Sequence, residues 1–339
     1  MILLVLITIT MGLLWYAKLV DRLRTSTIIR SIKIETVQTE ESQILVKDID
    51  QDKDSVPDQN NNLDLNLNLK PVAITFLDIG QGDATFIEWP DGTQMLIDCA
   101  KDARVLEALG RVMKFYDKEI DYLVVTHPDA DHYAGCIDVL KRFKVNNIVW
   151  TGYMVPDPQW HYFLKMVDEE QADTVQIREK AVWQIAGTTL SFLYPNHDVA
   201  TDATVPGFDK IADNNTSIVI KLSYGESDLL LTGDAEAPLE QYLVDAYGDT
   251  LNVQVLHVGH HGSNSSSIQP FLSTVTPAHA IISVGKENDY GHPTLRVLRR
   301  LERAGAKVWR TDERGDITAR IYTNNIFIES DGSSANRGK

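Results

Sequence analysis

Residues 126–135 read THPDADHYAG, directly after the apolar run Tyr122-Leu123-Val124-Val125. Four side chains able to hold a metal, His127, Asp129, Asp131 and His132, fall within six positions. Packing alone gives no reason for such crowding, because buried charges need a partner or a metal. The segment therefore has to lie where a buried strand meets a polar edge and a helix begins. Layered α/β folds place their sites there, beyond the carboxyl ends of strands. A capped helix start accounts for one aspartate, but not for two aspartates with two histidines.

The surrounding pattern agrees. Strands are expected at 72–77, 84–88 and 94–98, the last two joined by the turn Pro90-Asp91-Gly92. A helix over 105–115 leads to a strand at 120–125, and an amphipathic helix over about 134–143 follows the motif. A strand at 147–150, a helix at 158–171 and strands within 175–195 and 216–232 come next. Helices at 236–247, 267–274 and 294–304 then alternate with strands at 253–257, 280–284 and 307–310. The pattern predicts an α/β domain over 71–330, with helices outside paired sheets.

Composition bears on the ends. The formal charge of −16 argues against a broad basic face for duplex nucleic acid. Part of that charge belongs to residues 35–70, where nine acidic residues face three lysines. Rich in Asp and Asn and poor in aromatics, residues 25–70 read as a flexible acidic linker; residues 331–339 read as a disordered tail. Residues 2–17 carry no charge, so 1–24 is expected to be an uncleaved, single-pass membrane anchor. Lys18, Arg22 and Arg24 favour a cytoplasmic body, with an external body on a signal-anchor as the alternative. The two cysteines, Cys99 and Cys136, are expected as small buried residues, with a disulfide between them as the alternative.

Further ligands stand at other strand ends. Leu229-Leu-Leu-Thr-Gly233-Asp234 is an apolar strand whose glycine permits a tight turn presenting a carboxylate. Val253-Gln-Val-Leu-His257-Val-Gly-His260-His261-Gly262-Ser263 ends in a histidine pair between glycines. His257 is expected in the strand or behind the ligands, since a metal-bound imidazole needs a partner on its other nitrogen.

In order along the chain stand Asp78-Ile-Gly-Gln-Gly-Asp83, Leu96-Ile-Asp98, Thr126–His132 with Ala-Gly135, Thr232-Gly-Asp234, Gly259-His-His-Gly-Ser263, Asn288-Asp-Tyr-Gly-His292-Pro293 and Arg310-Thr-Asp312. Over roughly 72–325 this resembles the metallo-β-lactamase-fold domain of the ComEC/Rec2-type competence proteins. The resemblance implies a four-layer αββα sandwich and one or two divalent metals, Zn or Mn. It also implies hydrolysis by metal-activated water, with nuclease action inferred for the competence domains. Residue by residue, it gives His127 and Asp129 to a first metal and Asp131 and His132 to a second. Asp234 would bridge, and either His260 or His261 would complete the set. The superfamily's third-motif histidine has no counterpart, and Asn214-Asn-Thr-Ser217 stands in its place.

The expected function is a metal-dependent phosphodiesterase or DNA nuclease, acting on a phosphate ester or single-stranded DNA. The alternatives are a hydrolase of a lactone, thioester or amide, and a non-catalytic metal-stabilised module at the membrane. Asp131 is expected to orient the attacking water and His292 to act beside it. Asn215, Ser217, Ser263 and Tyr290 are candidate substrate contacts, and Lys286, Arg310 and Arg314 candidate phosphate contacts.

Overall fold

Alternation along the strands sends apolar side chains to both faces, and three separate cores result. The computed structural model describes residues 70–209 and 212–332. Among them, β1 (Val72–Phe76), β2 (Thr85–Glu88), β3 (Gln94–Ile97), β4 (Glu119–Val124), β5 (Lys144–Trp150), β6 (Asp173–Gln176), β14 (Ile317–Ile321) and β15 (Ile326–Ser330) form one sheet. Its order is β15-β14-β1-β2-β3-β4-β5-β6, parallel from β3 to β6. The second sheet contains β7 (Ala181–Ile185), β8 (Thr188–Tyr194), β9 (Val219–Tyr224), β10 (Ser227–Leu231), β11 (Val255–His257), β12 (His279–Ile282) and β13 (Lys307–Arg310). Its order is β13-β12-β11-β10-β9-β8-β7, with β10 to β13 parallel.

Ile74, Phe76, Met95, Ile97 and Val124 of the first sheet meet Leu190, Ile220, Leu229 and Val255 of the second in the central core. The opposite faces are covered by helices, as parallel strands require. On the first sheet these are α1 (Arg104–Val112), α2 (Ala130–Tyr133), α3 (Cys136–Leu140) and α4 (Pro158–Glu170). Their Leu109, Ile137 and Trp160 pack on Leu96, Leu123 and Ile148. On the second sheet α5 (Ala237–Tyr247), α6 (Gln269–Val275) and α7 (Leu295–Arg303) set Leu243, Phe271 and Leu301 against Leu230, Leu256 and Ile282. A short helix, α8 (Thr311–Arg314), follows β13. The layers are helix, sheet, sheet, helix: the expected αββα sandwich.

Two expectations need correction. The helix after the motif starts earlier than expected, at Ala130, and breaks into α2 and α3. Gly135 at the break lies so close to the 99–102 loop that a Cβ there would stand 2.0 Å from the Cys99 carbonyl oxygen. The cysteines are joined rather than independent: Cys99, just after β3, and Cys136, opening α3, form a disulfide with Cα atoms 5.1 Å apart. That close approach at Gly135 is what brings them into range.

The expected anchor and most of the expected linker, residues 1–69, lie outside the described residues, as do 333–339. Among the described residues no helix is long and apolar enough to cross a membrane.

Candidate metal centre

Five parallel strands, from both sheets, end at one edge of the sandwich, and each is followed by site residues. Asp98 follows β3, His127 follows β4, Asp234 follows β10, His260 and His261 follow β11, and Ser283 follows β12. A main-chain bond from Ile218 N–H to the Thr126 carbonyl (3.0 Å) fastens one sheet edge to the other.

Each turn has a local cause. Gly233 adopts φ +50, and a Cβ there would lie 3.0 Å from the Ser217 side chain. The Ser217 hydroxyl accepts from Asp234 N–H at 3.0 Å, which aims that aspartate inward. His260 and His261 are both left-handed, at φ 49 and 51, a conformation other than glycine rarely adopts. Their loop is braced from behind. The Ser266 hydroxyl donates to the Gly259 carbonyl (2.7 Å), Glu240 accepts from Ser267 and Ile268 N–H (2.6 and 2.7 Å), and Arg300 donates to the Ser266 and Ser267 carbonyls.

Three imidazoles are oriented alike. His132 Nδ1 lies 2.7 Å from Asp98 Oδ2, and His261 Nδ1 3.0 Å from the Ser283 carbonyl. Neither acceptor can donate when Asp98 is ionised, so both Nδ1 atoms carry the proton. Asp98 Oδ2 also accepts the Thr126 hydroxyl at 2.7 Å. With its proton committed, that hydroxyl accepts from His127 Nδ1 at 3.1 Å. All three Nε2 atoms point at Asp234, at 4.0 Å from His127, 3.3 Å from His132 and 3.7 Å from His261, where an arriving metal would take the place of any Nε2 proton. These Nε2 atoms and Asp234 Oδ1 are buried and have no hydrogen-bond partner.

Ligand atoms of His127, His132 and Asp234 lie within 4.8 Å of one another, and so do those of Asp131, His132 and His261. Asp131 Oδ2 stands 3.4 Å from His261 Nε2, and Asp129 Oδ2 3.7 Å from His127 Nε2. Asp129 occupies the N-cap position of α2, yet its side chain makes no capping bond. These distances suit a cation of about 2.0–2.2 Å ligand bonds set between the groups.

Electrostatics points the same way. Burial works against the charged form of His132, but the Asp234 and Asp98 carboxylates outweigh it and raise its pKa. His261 is likewise disfavoured by burial, yet Asp234 and Asp83 bring it to about 9. Burial would raise Asp234, but His132 and His261 hold it well below the usual carboxylate range. Protons on imidazoles balance the acids here, a task a divalent cation can take over.

His260 sits at the margin. Its Nε2 is 3.9 Å from Asp234, while its Nδ1 faces Ser265 Oγ (3.1 Å) and Glu236 (3.2 Å). The ring of His292 stands 5.7 Å from that of His260 and stacks on Tyr290. Ser263 bonds to Ser265. Asn215 and Ser217 take positions other than the substrate contacts expected. Both are buried, and their side chains hold Glu236 N–H and Asp234 N–H, so they shape the 233–236 turn. Arg310 is engaged by Asp312 and Glu313, and Arg314 lies over Trp309. Roles for Asp98, Asp83 and Glu236 were not assigned from sequence, because a lone acid carries no signal of its partner. Asp83, buried, faces His257 (3.5 Å) and His261 (3.7 Å). His257 also reaches the Ser283 hydroxyl, at 2.9 Å.

A family model for the metallo-β-lactamase superfamily matches residues 77–286. The chain is 31% identical over 270 residues to ComE operon protein 3 of Bacillus subtilis, covering 75% of this chain and 33% of that protein. To competence protein ComA of Neisseria gonorrhoeae it is 32% identical, covering 72% and 31%. To recombination protein 2 of Haemophilus influenzae it is 30% identical, covering 75% and 29%. The chain thus spans about a third of the length of these relatives. Among solved structures, the diiron β-hydroxylase CmlA of Streptomyces venezuelae superposes with a TM-score of 0.47 at 13% identity, covering 74% of this chain and 54% of that one. Zn²⁺-bound PqqB of Methylobacterium extorquens gives 0.45 at 10%, covering 71% and 88%.

Proposed function

The chain belongs to the metallo-β-lactamase superfamily, a group of generally hydrolytic proteins, and on that premise we propose that it is a metal-dependent phosphodiesterase acting on nucleic acid. The observation that carries the reading is the convergence on one buried carboxylate of three buried Nε2 atoms that have no hydrogen-bond partner. The names of two relatives, a competence protein and a recombination protein, favour DNA as the substrate.

Bound divalent metal supplies Lewis acidity and lowers the pKa of water toward neutrality. The chain's own groups do the rest. Asp234, central to the imidazoles, would hold the metal together with His127, His132 and His261. Asp131 borders both the cluster and the adjoining cleft, so it can orient a water and take its proton. The pKa of His292 is lowered, by burial first and then by His260 and His261, which keeps its ring neutral. A neutral ring offers one hydrogen bond to a substrate oxygen without competing with the metals for anionic groups.

The test is metal content of the purified full chain, followed by assay of a generic phosphodiester and single-stranded DNA with Mn²⁺ or Zn²⁺. Asp131→Ala serves as the control. The reading predicts at least about one metal per chain and hydrolysis that the variant loses. A protein that binds metal but cleaves only a lactone, thioester or amide would overturn it, as would one that binds none.

A further inference from the structure

Beside the metal centre opens a cleft of about 540 Å³, with Asp131 in its wall on the side of the cluster. Its lining includes Lys101, Arg104, Lys286 and Tyr290. Tyr290 is 66% exposed, a large aromatic surface left in water in the lining of a polar cleft. It is also held in place. Asn288 Nδ2 donates to the carbonyls of Gly285 and His292 (2.8 Å each), and its Oδ1 accepts from His292 N–H (2.9 Å). One face of Tyr290 stacks on His292, with ring centroids 5.8 Å apart and planes 20° apart. His292 in turn abuts His260, whose Nε2 is 3.9 Å from Asp234. A short series of rings thus runs from the metal ligands to an exposed aromatic plate.

We propose that this cleft is the subsite for the nucleotide next to the scissile phosphodiester. Tyr290 stacks the nucleobase, and Lys101 and Lys286 take the flanking phosphate. The inference rests on the phosphodiesterase reading and narrows its substrate to single strands, because a base must leave a duplex stack to lie on Tyr290. Charge sets its extent. Arg104 is committed to Asp102 at 2.9 Å, and Asp78, Asp131, Glu287, Asp289 and Asp312 share the walls with the two lysines. With acids in excess, the two lysines suit one phosphate rather than a long backbone track.

The experiment compares Tyr290→Ala and Tyr290→Phe with wild type on three probes: a short single-stranded oligodeoxynucleotide, the same oligonucleotide abasic beside the cut, and bis(p-nitrophenyl) phosphate. Tyr290→Ala should raise KM for the oligonucleotide by about 10-fold more than for the small diester. Tyr290→Phe should restore it, and the abasic strand on wild type should mimic Tyr290→Ala. A combined Lys101→Gln, Lys286→Gln variant should lower the salt slope of oligonucleotide binding by about one. Equal losses on both diesters, or tighter binding of a duplex of the same sequence, would overturn the subsite. Binding of the labelled strand is also followed by anisotropy. Tyr290-dependent binding without cleavage sinks the phosphodiesterase reading and leaves Tyr290 a base-stacking contact with no scissile bond beside it, whereas cleavage with Tyr290-independent binding keeps the reading and overturns the subsite. Failure of both binding and cleavage removes both.

Discussion

Asp98 Oδ2 lies 2.7 Å from His132 Nδ1, both groups buried, and the same carboxylate takes the Thr126 hydroxyl and main-chain N–H. One acid at the end of β3 therefore sets the tautomer of His132 and, through Thr126, that of His127. Outer partners of this kind typically contribute 10–100-fold to metal affinity. Asp98→Ala should weaken metal binding by about that factor in a competition titration against a chelator. Unchanged affinity would show that the two imidazoles orient themselves without it.

The two adjacent histidines should separate. His261 belongs to a ligand group with Asp131 and His132, while His260 leans on Glu236 and Ser265. His261→Ala should weaken metal binding by about 10-fold or more, and His260→Ala by less, read as metal retained after dialysis. The opposite ranking would reassign the ligand.

Metal binding should be tied to proton release. His261 is raised from its ordinary 6.5 to about 9 in the metal-free protein, and His132 is raised as well. A raised histidine stabilises the metal-free fold fully below its unfolded value, and that contribution fades as pH rises through about 9. Metal affinity moves the other way, since the ion competes with fewer protons. The Tm difference between loaded and metal-free protein should widen from about pH 6 to about pH 9. A constant difference would contradict protonated imidazoles in the empty cluster.

Reduction of Cys99–Cys136 should destabilise the domain. The bridge closes 37 residues of chain, for which loop entropy predicts about 4 kcal/mol. Its first half adjoins Asp98 and its second lies one turn beyond His132, so metal affinity should fall too. Thermal denaturation with and without reductant reads the first effect, and metal titration the second.

Glu240 gives a pH signature away from the metals. Burial pushes its carboxyl from 4.5 to about 8, although two backbone N–H groups favour the charge. A raised carboxyl contributes stability below the unfolded value, and loses it as pH rises through about 8. Denaturant midpoints should fall over that window in wild type and stay flatter in Glu240→Gln. Glu240→Ala should cost about 1–3 kcal/mol by leaving Ser267 and Ile268 N–H without acceptors.

Periodicity, turn residues and ligand spacing were enough to read the layered α/β plan and the motif-bearing strand ends, because each is a local property of the chain. Thr126–His132, Gly233-Asp234 and Gly259–Gly262 were legible for that reason. The break at Gly135 was not, since its cause is the Cys99 carbonyl 36 residues away. The positioning roles of Asn215 and Ser217 were hidden in the same way, and the disulfide was legible only as an alternative.

The sequence by itself determined which residues could hold a metal and that they stood at strand ends. Only the tertiary structure decided their orientation. Which nitrogen faces the metal site depends on what the Nδ1 meets, and for His132 and His261 that partner arrives from another strand. A hydrogen bond between residues distant in the chain leaves no periodic trace, because the chain's own order does not record which strand ends become neighbours.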